Sequence, residues 1–247
     1  MTTFVLGNTS KVWAHKYALD TSVATDVALD FGAEANDVTT FDQTTRIAKG
    51  GIQSVGFAID GFYDPDTFAA EFFSQIGTTV QRPISFSAAS GGVVDGSIVY
   101  FTDGLYTGLS QFGPVGEMAP FSVEGNGNTP LVRGSIARTA TDTSTQTGTG
   151  VQEGLVAAGN SLFAALHVTA VSGTNPTLVV TVESDDNAGF SSATTRLTFG
   201  TKTVESSEFT SVAGNIANDD YWRIVATIGG TSPSFTYAVH FGIASTT

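Results

Sequence analysis

Hydrophobic positions along this chain fall mostly at every second residue. In residues 234–243, SFTYAVHFGI, the side chains of Phe235, Tyr237, Val239, Phe241 and Ile243 share one face, the spacing of a half-buried strand. Upstream, YWRIVATI places Trp222, Ile224 and Ile228 on one face, and the intervening GGTSPS has loop chemistry, so together they predict a C-terminal hairpin. TLVVTVES and TTRLTF predict two further strands joined by DDNAGFSSA. SLFAALHVTAV fits a strand or a short helix by pattern, and its place among strands favours the strand.

The first half repeats this pattern with one interruption. Val55, Phe57 and Ile59 alternate with Ser54, Gly56, Ala58 and Asp60, which gives one bulky face and one small or polar face. The period then changes: Asp64 is an N-cap, Pro65 suits the first helical position, and Phe68, Phe72, Phe73 and Ile76 recur at helical spacing up to Gly77. A short helix near 65–76 is therefore expected. RPISFSA, GSIVYF and APFSVEG read as further strands. The segment 137–150, ARTATDTSTQTGTG, lacks any large apolar side chain and reads as a linker or a long exposed loop. With the Gly-Asn run EGNGN, it places a domain boundary between Gly125 and Gly150. The expected fold is mainly β: a β-sandwich with one short helix over residues 1–130, then a second all-β sandwich over 131–247.

Composition narrows the possible functions. The 247 residues contain no cysteine, which removes a disulfide framework, a thiolate zinc site and a cysteine nucleophile. Ten basic residues against 23 acidic ones give a net charge of −13, and no Lys or Arg cluster can track a phosphate backbone. The opening residues lack a basic segment followed by an apolar run, and no apolar stretch approaches the roughly 20 residues of a membrane span, so a soluble chain with no secretion signal and no membrane segment is expected.

Motifs for catalysis are missing: there is no His-Glu-x-x-His helix, no Walker loop and no Gly-x-Ser-x-Gly elbow. The chain is expected not to be an enzyme, and no catalytic residue, metal or cofactor is assigned. His15, His167 and His240 are scattered and read as structural or surface residues. GTGVQEG reads as a flexible loop. Glu183, Asp185, Asp186 and Asn187 offer clustered oxygens that suit a calcium ion or a solvated hairpin loop, and the sequence leaves both open. Most of the 18 Phe read as core, while Phe62 and Tyr63, at the strand-to-helix corner, suit either the core or a subunit contact. Trp222, Tyr221 and the acidic loop suggest an alternative, a glycan-binding β-sandwich.

The stretch TTFDQTTRIAKGGIQSVGFAIDGFYDP, residues 39–65, resembles the major tail tube proteins of long-tailed bacteriophages. The resemblance is carried by Thr39, Thr40 and Phe41, by Arg46, by Gly50 and Gly51, by Val55, Phe57 and Ile59, and by Gly61 to Asp64. GPVGEMAPFSVEG, residues 113–125, is similar to the family's final tube strand and the turn before it. The likeness covers about residues 1–130. It implies a sandwich flanked by one helix, self-assembled into stacked rings, usually hexamers, whose inner strands form a continuous barrel around a lumen. It also implies a virion location after synthesis in the host cytoplasm, partners at the tail tip and terminator, and DNA passing without tight binding. On this reading Phe41, Arg46, Phe62 and Tyr63 are expected at subunit interfaces, and Ser54, Gly56, Ala58 and Asp60 face the lumen or a neighbour. The C-terminal half would sit on the tube exterior.

Overall fold

The computed structural model describes residues 10–19, 24–40, 42, 44–63, 69–114, 117–216 and 218–246. These residues are mainly β, as expected. In chain order the elements are β1 (Ser10–Ala14), β2 (Tyr17–Leu19), β3 (Ala24–Asp37), β4 (Ala48–Phe62), α1 (Ala69–Gln75), β5 (Arg82–Ala88), β6 (Ile98–Gln111) and β7 (Pro120–Gly127). There follow β8 (Val132–Asp142), β9 (Gln146–Thr147), β10 (Val151–Gln152), β11 (Asn160–Asp185), β12 (Thr194–Thr198), β13 (Ser206–Ala213) and β14 (Tyr221–Ser245).

The chain groups into two compact units that are not sequential halves. Unit 2 holds Ala24–Val80 and Gly104–Leu131, while unit 1 gathers Met1–Val23, Gln81–Asp103 and Val132–Thr247. One division falls between Leu131 and Val132. Residues well before it nevertheless join unit 1, because β1 pairs with β5, the start of β6 pairs with β8, and Trp13, Val99 and Phe101 share one core with Ile136 and Phe163.

Unit 1 is organised by one long antiparallel ribbon. β11 and β14 pair from Asn160↔Ser245 to Asp185↔Tyr221. The two segments expected to form a C-terminal hairpin are thus two halves of one strand, and GGTSPS bends the ribbon instead of reversing it. Register shifts lie between Ser172 and Thr177, and Gly173, Asn175, Gly230 and Ser232 all take positive φ. Glycine is required at two of these positions: a Cβ on Gly173 would lie 2.6 Å from the Ser232 carbonyl oxygen, and one on Gly230 would lie 2.7 Å from that of Asn175. The bend brings Leu162 and Leu166 from one half and Val180 and Val182 from the other into one core with Trp222, Phe235 and Phe241.

The first half of β11 is buried on both faces. Leu162, Ala164, Leu166 and Val168 point into that core, whereas Phe163 and Ala165 point into the core around Trp13. A strand covered on both sides needs no polar alternation, which is why SLFAALHV carries no clear period. TLVVTVES and TTRLTF do pair, through β11 and β12, with DDNAGFSSA between them.

Residues 137–142, expected in a linker or exposed loop, form the second half of β8 and pair with β14 from Val239↔Arg138 to Phe235↔Asp142. Small side chains suit them to a crowded strand. Buried Asp142 accepts hydrogen bonds from Tyr237 Oη at 2.8 Å and from Arg138 Nε and Nη2 at 3.0 and 2.6 Å. Burial, followed by the bond to Asp142, raises the Tyr237 hydroxyl above its ordinary value, so it stays a donor. Asp142→Asn keeps the shape but removes the charge, and is expected to cost about 1.5–3 kcal/mol in urea denaturation. An unchanged midpoint would show that the network adds nothing to stability.

Unit 2 is a four-stranded antiparallel sheet in the order β3-β4-β7-β6, with α1. Of the helix expected over 65–76, Ala69–Gln75 is observed, and Asp64, Pro65 and Phe68 lie outside the described residues. Gly77, at φ 76°, follows its end as a left-handed cap. Phe72 is buried, its ring 5.0 Å from that of Tyr106, and Tyr106 meets Phe57 edge-on at 5.6 Å. Phe73, expected on the same apolar stripe, is instead 74% exposed, while Gln75 is buried.

Candidate functional site

The feature of unit 2 with the clearest chemical consequence is a sheet open at both edges. β3 pairs with β4 along one side, and Gly104–Gln111 of β6 pairs with β7 along one side. β5 flanks only the first half of β6: Ser87 Oγ donates to the Ile98 carbonyl, and Arg82 acts on the Asp103 carboxylate. Neither outer edge has a further strand partner among the described residues. Unpaired edges present rows of N–H and C=O groups that invite another strand.

The two sheet faces differ sharply. Val55, Phe57 and Ile59 are buried with Phe121, Val123 and Tyr106 on one face. On the other, the register aligns Asp26 with Asp60 and Ser122, then Ala28 with Ala58 and Glu124, then Asp30 with Gly56 and Asn126. Ser54 is exposed, and Gly56, Ala58 and Asp60 are half-buried. This face carries four carboxylates and no Lys or Arg in those rows. Directly opposed like charges, as at Asp26 and Asp60, cost stability.

Beyond the core, β3 and β4 continue as a two-stranded arm exposed on both faces, with Ile52 84% and Phe31 53% exposed. A two-stranded ribbon is at best marginally stable alone in water. The loop at its tip is closed by Val38 N donating to the Ile47 carbonyl at 2.9 Å and Ile47 N donating to Thr39 Oγ1 at 2.8 Å. Arg46 remains 80% exposed yet pairs within the chain, Nε to Asp37 Oδ2 at 2.7 Å. Hydrogen bonds from Thr39, then from Arg46, hold the Asp37 carboxyl below its ordinary value. Phe41 lies outside the described residues. At the opposite end of β4, Phe62 is half-exposed, and Tyr63 packs its ring 5.1 Å from that of Phe112.

The three histidines, which read as scattered, converge in unit 1. His167 and His240 are fully buried with ring centroids 5.5 Å apart, and Trp13 lies 4.7 Å from His240. Ser85 Oγ is 2.8 Å from His167 Nε2, a distance that suits a nucleophile and its base. Both residues have no exposed surface, so no substrate reaches them. No spacing rule could have signalled this cluster, since its members come from three strand regions joined only by folding.

Two other sequence readings resolve at the level of side chains. Trp222 is no platform: it is buried, and its Nε1 donates to the Gly154 carbonyl at 2.9 Å. Trp13 is buried too, so neither indole of the chain is free to stack on a sugar. In the acidic loop, Asp185 accepts from the amides of Ser192 and Asn187 at 2.8 and 3.2 Å, and Glu183 holds Arg223. Among the described residues no group of three His, Asp or Glu is placed to hold a metal, and no helix is long and apolar enough to cross a membrane.

No protein-family model and no curated protein matches this chain. Among the solved structures that resemble it are tail, tube and baseplate components of phages and phage-like particles. The tail of an empty gene transfer agent particle, of C6 symmetry, is 14% identical over 51% of this chain and 96% of its own, with a TM-score of 0.42. The sheath/tube terminator of an extracellular contractile injection system is 10% identical over 53% of this chain and 97% of its own, with a TM-score of 0.45. The Dit protein of phage SPP1, from a hub adsorption apparatus, is 11% identical over 95% of this chain and 99% of its own, with a TM-score of 0.38.

Proposed function

We propose that this chain is a non-enzymatic structural subunit of a phage-type virion tail, and that unit 2 closes into hexameric rings that stack into a tube for DNA. The observation that carries this reading is the four-stranded antiparallel sheet with two open edges. Because the strand number is even, the outer edges of β3 and β6 run in opposite senses. A copy rotated about a common axis therefore sets its β3 antiparallel beside the first copy's β6, and repetition closes a barrel without edges. The acidic face of small residues would line the lumen, where the absence of basic groups avoids the phosphate contacts that create affinity for DNA. The arm tip around Phe41 and Arg46 and the corner at Phe62 and Tyr63 would meet neighbouring copies, and tip and terminator proteins would start and end the tube. The C-terminal half, residues 131–247, would lie on the tube exterior.

Cysteine cross-linking tests the edge pairing on a chain that has no cysteine of its own. Asp30→Cys combined with Thr107→Cys, and separately with Ser110→Cys, puts one thiol on each outer strand. Within one copy the outer strands are three spacings apart, about 14 Å, beyond the reach of a disulfide. Oxidation at high protein concentration is expected to give a ladder of covalent multimers ending at the closed ring. Folded protein that stays monomeric on denaturing gels in both variants would rule the edge pairing out.

A further inference from the structure

The tip of the first hairpin is fastened to unit 1 by a strained residue and a buried histidine pair. His15 takes φ 54°, an unusual conformation for a non-glycine residue, and is held at three points. Its N–H donates to the Pro83 carbonyl at 3.0 Å, its ring Nδ1 lies 2.6 Å from Ser207 Oγ, and its carbonyl accepts from His167 Nδ1 at 2.6 Å. Since a carbonyl only accepts, the His167 proton sits on Nδ1, and Nε2 receives the Ser85 hydroxyl. Neutral His167 is thereby fully satisfied. Among the described residues His240 has no hydrogen-bond partner on either nitrogen, and it is enclosed by Trp13, Phe101 and His167.

We propose that this arrangement is an acid-sensitive latch: when His167 and His240 take up protons, the β1–β2 hairpin leaves unit 1 before the rest of that unit opens. A charge on either imidazole would be stranded in an apolar core beside a second imidazole. The hairpin is the element that can yield, because among the described residues β2 ends the strand order and β1 is otherwise laddered only to β5. Once it departs, the face of β11 and β14 that carries both histidines opens to water.

The charged and titratable groups on the surrounding elements are few. On β1, Lys11 lies over the Trp13 ring; in the turn, His15 is itself titratable and its charge disfavours a proton on His167, and Lys16 lies over Tyr17. Arg82 on β5 acts on Asp103 of β6, Glu208 on β13 is bound by Lys202, and Arg138 on β8 is bound by Asp142. Burial pushes His167 down to about 4 and holds His240 well below its ordinary value, with the neighbouring His167 adding to the effect on His240. An exposed histidine titrates near 6.5, so the closed latch is fully stable above about pH 6.5 and weakens as pH falls toward about 4. Asp103 works in the opposite sense: burial pushes its carboxyl up to about 6, so the folded chain takes up a proton there over the same range.

Hydrogen–deuterium exchange of the full chain from pH 7.5 to 4.5, corrected for the intrinsic rate, tests the latch. Residues 10–19 are expected to lose at least tenfold protection between pH 6 and 4.5 while 178–182 keep theirs. His240→Phe preserves ring volume without titrating, and should lower the pH of release. Three results would overturn the latch: protection of 10–19 persisting to pH 4.5, its loss together with 178–182, or no movement in His240→Phe. Should that variant fail to fold, the order of loss in the unsubstituted chain decides alone.

Discussion

Gly125→Val is expected to unfold the sheet of unit 2, at a cost of about 3 kcal/mol or more. A Cβ on Gly125 would sit 2.1 Å from Phe57 Cζ and 2.5 Å from the Leu105 carbonyl oxygen. The Phe57 ring packs against Gly125 of β7 and Gly104 of β6, where the missing side chains give it room. A valine has to displace both a core ring and a neighbouring strand, which side-chain rotation alone cannot do. Against a total stability of about 5–15 kcal/mol, that loss removes much of the margin. Gly56→Ala, on the opposite face of the same sheet, is the control: its Cβ meets nothing closer than Asp30 Cβ at 3.8 Å, so a change within about 0.5 kcal/mol is expected. Urea denaturation followed by circular dichroism measures both. Equal midpoints for the two variants would contradict the packing described for Phe57, and rings formed by Gly125→Val would separate assembly from this sheet.

Phe72→Ala is expected to cost about 3–5 kcal/mol and to release α1 from the sheet. The helix spans only seven residues, too few to persist by its own hydrogen bonds. Its anchor is the Phe72 ring, which is fully buried against Tyr106. Phe73, one residue on, is mostly in solvent, and Phe73→Ala should change stability by no more than about 0.5 kcal/mol. Exchange protection of 69–75 that survives Phe72→Ala would show that something other than this ring holds the helix.

These contrasts mark what a linear reading can see. Val55, Phe57 and Ile59 announced a strand and its buried face by alternation alone, and the change of period before Phe72 announced a helix. The sequence also held an unused signal: Asp26, Ala28 and Asp30 alternate with Val27, Leu29 and Phe31, the mark of β3. By contrast, GGTSPS reads the same whether it reverses a strand or bends it. Only pairing with Ser172, Thr174 and Thr177, more than fifty residues away, made it a bend. Phe72 and Phe73 are equally apolar, and which one is buried depended on the direction of the helix against Tyr106.

Alternation, helix punctuation, low charge and the lack of cysteine are local or additive properties, so the sequence by itself determined a mainly β chain with one short helix and no disulfides. Which distant strands share a sheet was settled by tertiary structure, because the energy of a strand lies in its partners. That choice joined β1 and β5 to the C-terminal strands, left β3 and β6 with open edges, lined up Asp26 with Asp60, and brought three histidines from across the chain into one core.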